Sequence, residues 1–142
     1  MTKVLLVDDS KFLRMATERA LARAGYSVSA AGDGAKAIEV AKQAQPDVIL
    51  LDMLLPGMSG PEVLKALKND RNTARIPVVV LTGLSQKNAE RLRHDGACAF
   101  LEKSSLDLDK GCDTLLHAIA QILRDLGVEV PSGARAQASA GQ

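Results

Sequence analysis

Three observations predict an α/β fold with a parallel sheet for this chain of 142 residues. Strand and helix signals alternate five times. The strand signals are short apolar or β-branched runs, and the segments between them have helical periodicity. Polar residues able to do chemistry stand directly after four of the runs, at 4–7, 48–51, 78–81 and 99–101, where the ends of parallel strands open a ligand crevice.

Each element has a local reason. After the first run, Ser10 caps a helix whose Leu13, Ala16 and Ala20 share a face and which ends at Gly25. A weaker strand follows over 27–30. Asp33 and Gly34 make the next turn, and Gly32 and Gly34 are read as turn glycines with positive φ. A second helix covers about 35–44, with Ala37, Ile38 and Ala41 inward, and Pro46 stops it before the third strand. Residues 56–60 are a loop by composition, and Pro61 suits the first turn of a helix running to about Lys68. The fourth run is the most β-branched and is expected to lie inside the sheet. A fourth helix, about 86–94, is mostly polar. The fifth, about 111–126, spaces Leu115, Ile119, Ile122 and Leu126 along one stripe, widened by Leu116 and Leu123.

Length and composition suit one domain over 1–126, with 127–142 as a flexible C-terminal tail or linker, since beyond Gly127 the composition shifts to Gly, Ser, Ala, Gln and Pro without periodicity. Eighteen basic and seventeen acidic side chains leave a net charge of +1, which carries no electrostatic footprint for nucleic acid. No apolar stretch approaches the roughly 20 residues of a membrane span. A cytoplasmic location without membrane attachment is therefore expected. Cys98 and Cys112 lack metal-ligand spacing and are read as small buried fillers, while His94 and His117 are read as structural.

Asp8, Asp9, Asp52, Thr82 and Lys103 form the candidate site. Three carboxylates brought together repel unless a cation offsets their charge. Mg2+ meets that need, because it prefers oxygen ligands and accepts one or two carboxylates with phosphate oxygens and water. Asp9 and Asp52 are the expected direct ligands, with Asp8 acting through water. A carboxylate can also take up a phosphoryl group, and Asp52, alone at its strand end before a Gly-rich loop, is the expected nucleophile. Lys103 then offers charge and Thr82 a hydroxyl to the phosphoryl oxygens. Any one of these residues could instead be a helix cap, but five complementary groups at four strand ends argue for a site.

Other chemistries fit less well. Gly32-Asp33-Gly34-Ala35-Lys36-Ala37 matches a dinucleotide fingerprint, but it follows the second strand, and the chain is short for two nucleotide-binding halves. An aspartyl-phosphate phosphatase would need an acid-base carboxylate two residues after Asp52, where Leu54 stands. A phosphorylation-independent interaction module would leave the five-residue set without a purpose.

The chain resembles the receiver domains of bacterial two-component response regulators. The resemblance rests on Val7-Asp8-Asp9-Ser10, on the segment from Asp52 through Leu54, Pro56 and Gly57 to Gly60, on Thr82-Gly83 and on Phe100-Leu101-Glu102-Lys103, and it covers about 3–126. It implies a (βα)5 flavodoxin-like sandwich with strand order 2-1-3-4-5. It implies that Asp52 accepts phosphate from a sensor histidine kinase or phosphotransfer protein. Mg2+ would be bound by Asp9, Asp52 and the backbone carbonyl of Leu54, with Asp8 assisting. Thr82 and Phe100 would be the switch residues, and the face of the fourth helix, fifth strand and fifth helix would meet a downstream protein target or a second copy in a homodimer. Phe12 and Met15 on the first helix, flanked by Lys11 and Arg14, are read first as partly buried against the sheet edge, with an apolar contact for the phosphodonor as the alternative. One departure stands out: Ser104 follows Lys103 where the family usually has proline, and a cis bond there would cost about 2.5–4 kcal/mol rather than ~0.5–1. The stretch 104–110 is also longer than usual.

Overall fold

The computed structural model describes residues 2–53, 57–82, 94, 96–102, 113–128 and 130. Within them run five strands, β1 (Lys3–Val7), β2 (Ser27–Ala31), β3 (Val48–Asp52), β4 (Val78–Thr82) and β5 (Ala99–Glu102). Four helices accompany them: α1 (Lys11–Arg23), α2 (Gly34–Ala44), α3 (Gly60–Asn69) and α4 (Asp113–Asp125). The helix expected over 86–94 lies outside the described residues except for His94. So do the stretch 104–110, Cys112 and residues 131–142.

All strand pairs are parallel, and the order is β2-β1-β3-β4-β5. Side chains alternate across the sheet, so each strand feeds two cores. On one face Val4, Leu6, Val48, Leu50, Val79 and Leu81 pack with Leu21 of α1 and with Leu115, Ile119 and Leu123 of α4. On the other, Leu5, Val7, Ile49, Leu51, Val78 and Val80 meet Ala37 and Ala41 of α2 and Val63, Leu64 and Leu67 of α3. Burial on both faces explains why these strands read as continuous apolar runs rather than as alternating ones.

The caps follow the sequence. Ser10 Oγ accepts a long 3.4 Å bond from Leu13 N, Asp33 Oδ1 accepts from Lys36 N at 2.8 Å, and Ser59 Oγ accepts from Glu62 N at 3.4 Å. Gly25 ends α1 with φ 101°, while Gln45 ends α2 in the left-handed region at φ 48°. Gln45 is held there by its side-chain amide, which donates to the carbonyls of Ala41, Lys42 and Asn72.

Several expectations need correction. Gly32 and Gly34 are not among the glycines with positive φ; they are small because neighbours approach closely. A Cβ on Gly34 would stand 2.5 Å from Val63 Cγ2, where α2 packs on α3. Leu13, Ala16 and Ala20 are only half-buried, since the inward line of α1 runs through Thr17 and Leu21. The buried stripe of α4 is Leu115, Leu116, Ile119, Ala120 and Leu123, and Leu126, past the helix end, is 43% exposed. Cys98 is exposed, because the filler position just before β5 belongs to Ala97. His94 and His117 are exposed as well. After Gly127, at φ 76°, Val128 N donates to Leu123 O at 2.8 Å and Val130 is buried in the α1/α4 core. Packed chain thus continues beyond residue 126.

Candidate functional site

The sheet's register brings the acidic residues together. Val7 pairs with Leu51, so Asp8, the next residue, stands level with Asp52 at the end of β3. Asp8 N donates to Ala31 O at 3.1 Å, which carries the β1–β2 ladder one residue past the strand. Carboxylate oxygens of Asp8, Asp9 and Asp52 all lie within 4.8 Å of one another. Asp8 and Asp52 are each 2% exposed, and Asp9 is exposed.

Capping does not account for this cluster. Ser10 caps α1, and Asp8 Oδ1 accepts from Ser10 N at 2.9 Å, which fixes the direction of the turn. The donor set is carboxylate oxygen throughout, two of the three groups are buried, and the third opens toward solvent. Opposite oxygens around a six-coordinate Mg2+ stand roughly 4 Å apart, so the residues fit such an ion with little movement. A soft thiolate- or imidazole-seeking metal finds no matching ligand in the cluster.

The remaining expected residues divide into placed and undescribed. The main chain of Thr82 ends β4 and pairs with Glu102, one level beyond the Asp52–Leu81 pair. Phe100 is half-buried, pairs with Val80 and packs against the α2/α3 core. Leu54 and Lys103 lie outside the described residues, although Lys103 follows Glu102, the last residue of β5. The β3–α3 connection is closed by Gly60 N donating to Met53 O at 3.2 Å. On the same end of the sheet, a shallow cleft of about 430 Å³ opens between Asp33, Gly34, Ala35, Gly57 and Met58.

Two surface features stand apart from the carboxylates. Phe12, beside the site on α1, is 77% exposed, and Met15 is exposed one turn on. Arg14 Nη1 donates to the carbonyl of Asp8 at 2.8 Å. The sequence pointed to Arg14 only as a charge flanking Phe12 and Met15; its contact with Asp8 depends on how α1 leaves the β1 turn.

The model of the response regulator receiver domain matches residues 4–115, which take in both acidic segments and, apart from Lys3 at the start of β1, the five strands described above. The chain belongs to this family. Among curated relatives, the polar-differentiation response regulator DivK of Brucella ovis is 37% identical over 105 residues, 72% of this chain and 85% of DivK. The DNA-binding dual master transcriptional regulator RpaA of Synechocystis is 42% identical over 86 residues, which are 61% of this chain but only 36% of RpaA. Among solved structures, the chemotaxis response regulator CheY4 of Vibrio cholerae superposes with a TM-score of 0.77 at 34% identity, covering 87% of this chain and 99% of that one. The response regulator domain of Thermotoga maritima CheB gives 0.72 at 31%, covering 87% and 97%. Membership places the chain in phosphorylation-activated two-component signalling, as a switch rather than a metabolic enzyme. No helix among the described residues is long and apolar enough to cross a membrane.

Proposed function

We propose that Asp52 is the phosphoacceptor of this receiver domain and that its phosphorylation, with Mg2+ bound beside it, switches a protein-binding face. The observation that carries this reading is the convergence of three carboxylates within 4.8 Å at the carboxyl end of the sheet. Asp9, Asp52 and the Leu54 carbonyl would hold the ion, with Asp8 assisting through water; bound there, it offsets the negative charge of carboxylates and phosphoryl oxygens. The carboxylate of Asp52 attacks the phosphorus of a phosphohistidine on the sensor kinase or phosphotransfer protein. A P–O bond forms as the P–N bond breaks, and the leaving imidazole keeps the electron pair and takes a proton.

Lys103 supplies positive charge to the phosphoryl oxygens, and Thr82 turns its hydroxyl toward them. Phe100 then packs further inward behind Thr82. A local charge change of this kind biases a two-state element, and the biased face is that of residues 86–94, β5 and α4. That face takes the downstream protein target, and α4 with residues 86–94 also suits a homodimer. Phe12 and Met15 are the apolar contact for the phosphodonor. Residues 1–126 form the switching unit, with Val128 and Val130 packed on it, and the rest of 127–142 is tail or linker. The balanced charge of the chain supports protein rather than nucleic-acid partners. A cytoplasmic site of action goes with the relatives the chain resembles.

Incubation with acetyl phosphate and Mg2+, followed by intact-mass measurement, tests this reading. A gain of one phosphoryl group that Asp52→Asn abolishes is expected. A wild-type chain that takes up no acid-labile phosphoryl group from any donor overturns it.

A further inference from the structure

Arg14 and Gly32 have no role in the chemistry above, yet they meet at the acidic site. The guanidinium of Arg14, half-buried on the first turn of α1, donates through Nη1 to Asp8 O at 2.8 Å. That carbonyl belongs to the Asp8–Asp9 peptide, so the bond fixes the plane from which the Asp9 side chain departs. Gly32 lies against the same guanidinium: a Cβ built on it would stand 2.8 Å from Arg14 Nη1 and 3.5 Å from Cζ. Gly32 is not among the glycines with positive φ, so its small size is explained by the space that Arg14 occupies.

Three other bonds converge on the same turn. Asp8 N reaches Ala31 O, Ser10 N reaches Asp8 Oδ1 at 2.9 Å, and Arg14 N reaches Ser10 O at 2.8 Å. They hold Asp8 and Ser10; the guanidinium acts on the peptide between Asp8 and Asp9. Of the three carboxylates, that of Asp9 is the exposed one, and an exposed side chain gains most from a fixed backbone.

We propose that Arg14 is a positioning residue for the metal site, clamping the Asp8–Asp9 peptide so that the Asp9 carboxylate is held toward those of Asp8 and Asp52, and that Gly32 keeps the room the clamp needs. This rests on the reading of the acidic cluster as an Mg2+ site. Charge and position pull in opposite directions here. Removing a nearby cation, taken alone, tightens Mg2+ binding by relieving like-charge repulsion. Releasing the peptide weakens it. The sign of the change therefore separates the two roles.

The test is titration of the full chain with MgCl2, followed by amide chemical shifts, for the wild type, Arg14→Met, Gly32→Ala and the double variant. Met keeps the apolar stem and helix propensity of Arg while removing the guanidinium. Gly32→Ala leaves Arg14 in the sequence and displaces only the far end of its flexible side chain. Each single variant is expected to weaken Mg2+ binding by about three- to tenfold, a fraction of what a charge-assisted hydrogen bond contributes in whole. The double variant should match the singles rather than multiply them, because both remove one clamp. Melting temperatures in EDTA should stay near wild type, and the rate of phosphorylation by acetyl phosphate should return to wild type at saturating Mg2+. Unchanged or tighter Mg2+ binding in Arg14→Met, or multiplying effects in the double variant, overturns the clamp while leaving the metal site intact. A wild-type chain that binds no Mg2+ overturns the underlying reading and the clamp with it.

Discussion

Gly57 and Gly60 both lie in the segment that follows Asp52, and the same substitution should fail at the two for different reasons. Gly60 opens α3, where helix propensity alone favours Ala by up to about 1 kcal/mol. A Cβ there would stand 2.5 Å from Met53 Cα and 2.9 Å from Met53 O, both of them main chain. Backbone cannot swing aside as a side-chain tip can, so overpacking of roughly 1–3 kcal/mol applies at its upper end. Straining the Gly60 N to Met53 O bond adds about 1 kcal/mol. Gly60→Ala should therefore destabilise by about 2–4 kcal/mol net of propensity. Gly57, by contrast, has φ 73° and nothing within 4 Å of a built Cβ. Its Ala variant bears only the left-handed backbone cost of ~1–2 kcal/mol, partly offset by a less flexible unfolded chain. Urea unfolding of the two variants beside the wild type measures both. A Gly60→Ala chain as stable as wild type, or more stable than Gly57→Ala, would refute the close-approach argument.

Two further predictions concern ionisable groups away from the site. Tyr26 is 3% exposed, and its hydroxyl has no hydrogen-bond partner among the described residues, so Tyr26→Phe should stabilise by about 1 kcal/mol, read as a rise in Tm. Burial holds the Tyr26 phenol above its ordinary pKa, with Arg124 opposing, so the folded state keeps its proton longer than the unfolded one. Wild-type stability then declines above the ordinary value of 10.0, and the advantage of Phe should widen there; a constant difference across that range would contradict it. Asp70 is held below its ordinary pKa first by the Asn72 N–H at 2.8 Å and next by Lys42 at 3.0 Å. Its contribution is present above the unfolded value of 3.8 and is lost as pH falls through the lower folded one. Asp70→Asn keeps the acceptor but not the charge, so its stability deficit should be flat from neutral pH to about 5 and close below 3.8 in acid unfolding curves.

Much of the site was legible because parallel α/β sheets place strand ends together. Asp8, Asp9 and Asp52 could be grouped from their positions after apolar runs, without knowing how far each side chain reaches. Arg14 could not be added in the same way. Its role depends on a 2.8 Å contact between a helix side chain and a strand-end carbonyl, and on a neighbour from a different turn. The glycines misled for a related reason. Composition marks Gly32 and Gly34 as turn residues, but it does not distinguish a backbone that needs positive φ from one that needs an absent Cβ.

Alternation of β-branched runs with helical periodicity is a local property, and the sequence by itself determined the fold class, the Ser10 cap and the strand ends on which the acidic residues stand. Which helical residues are buried was decided by packing. Thr17 and Leu21 are the buried residues of α1 rather than Leu13 and Ala16, and Leu126 falls outside the core while Val130 enters it, because the contacts a residue finds after the chain packs, and not its periodicity alone, decide its burial. The tertiary structure likewise decided that three carboxylates spread over forty-odd residues lie within 4.8 Å, since only the register of β1 against β3 brings Asp8 level with Asp52.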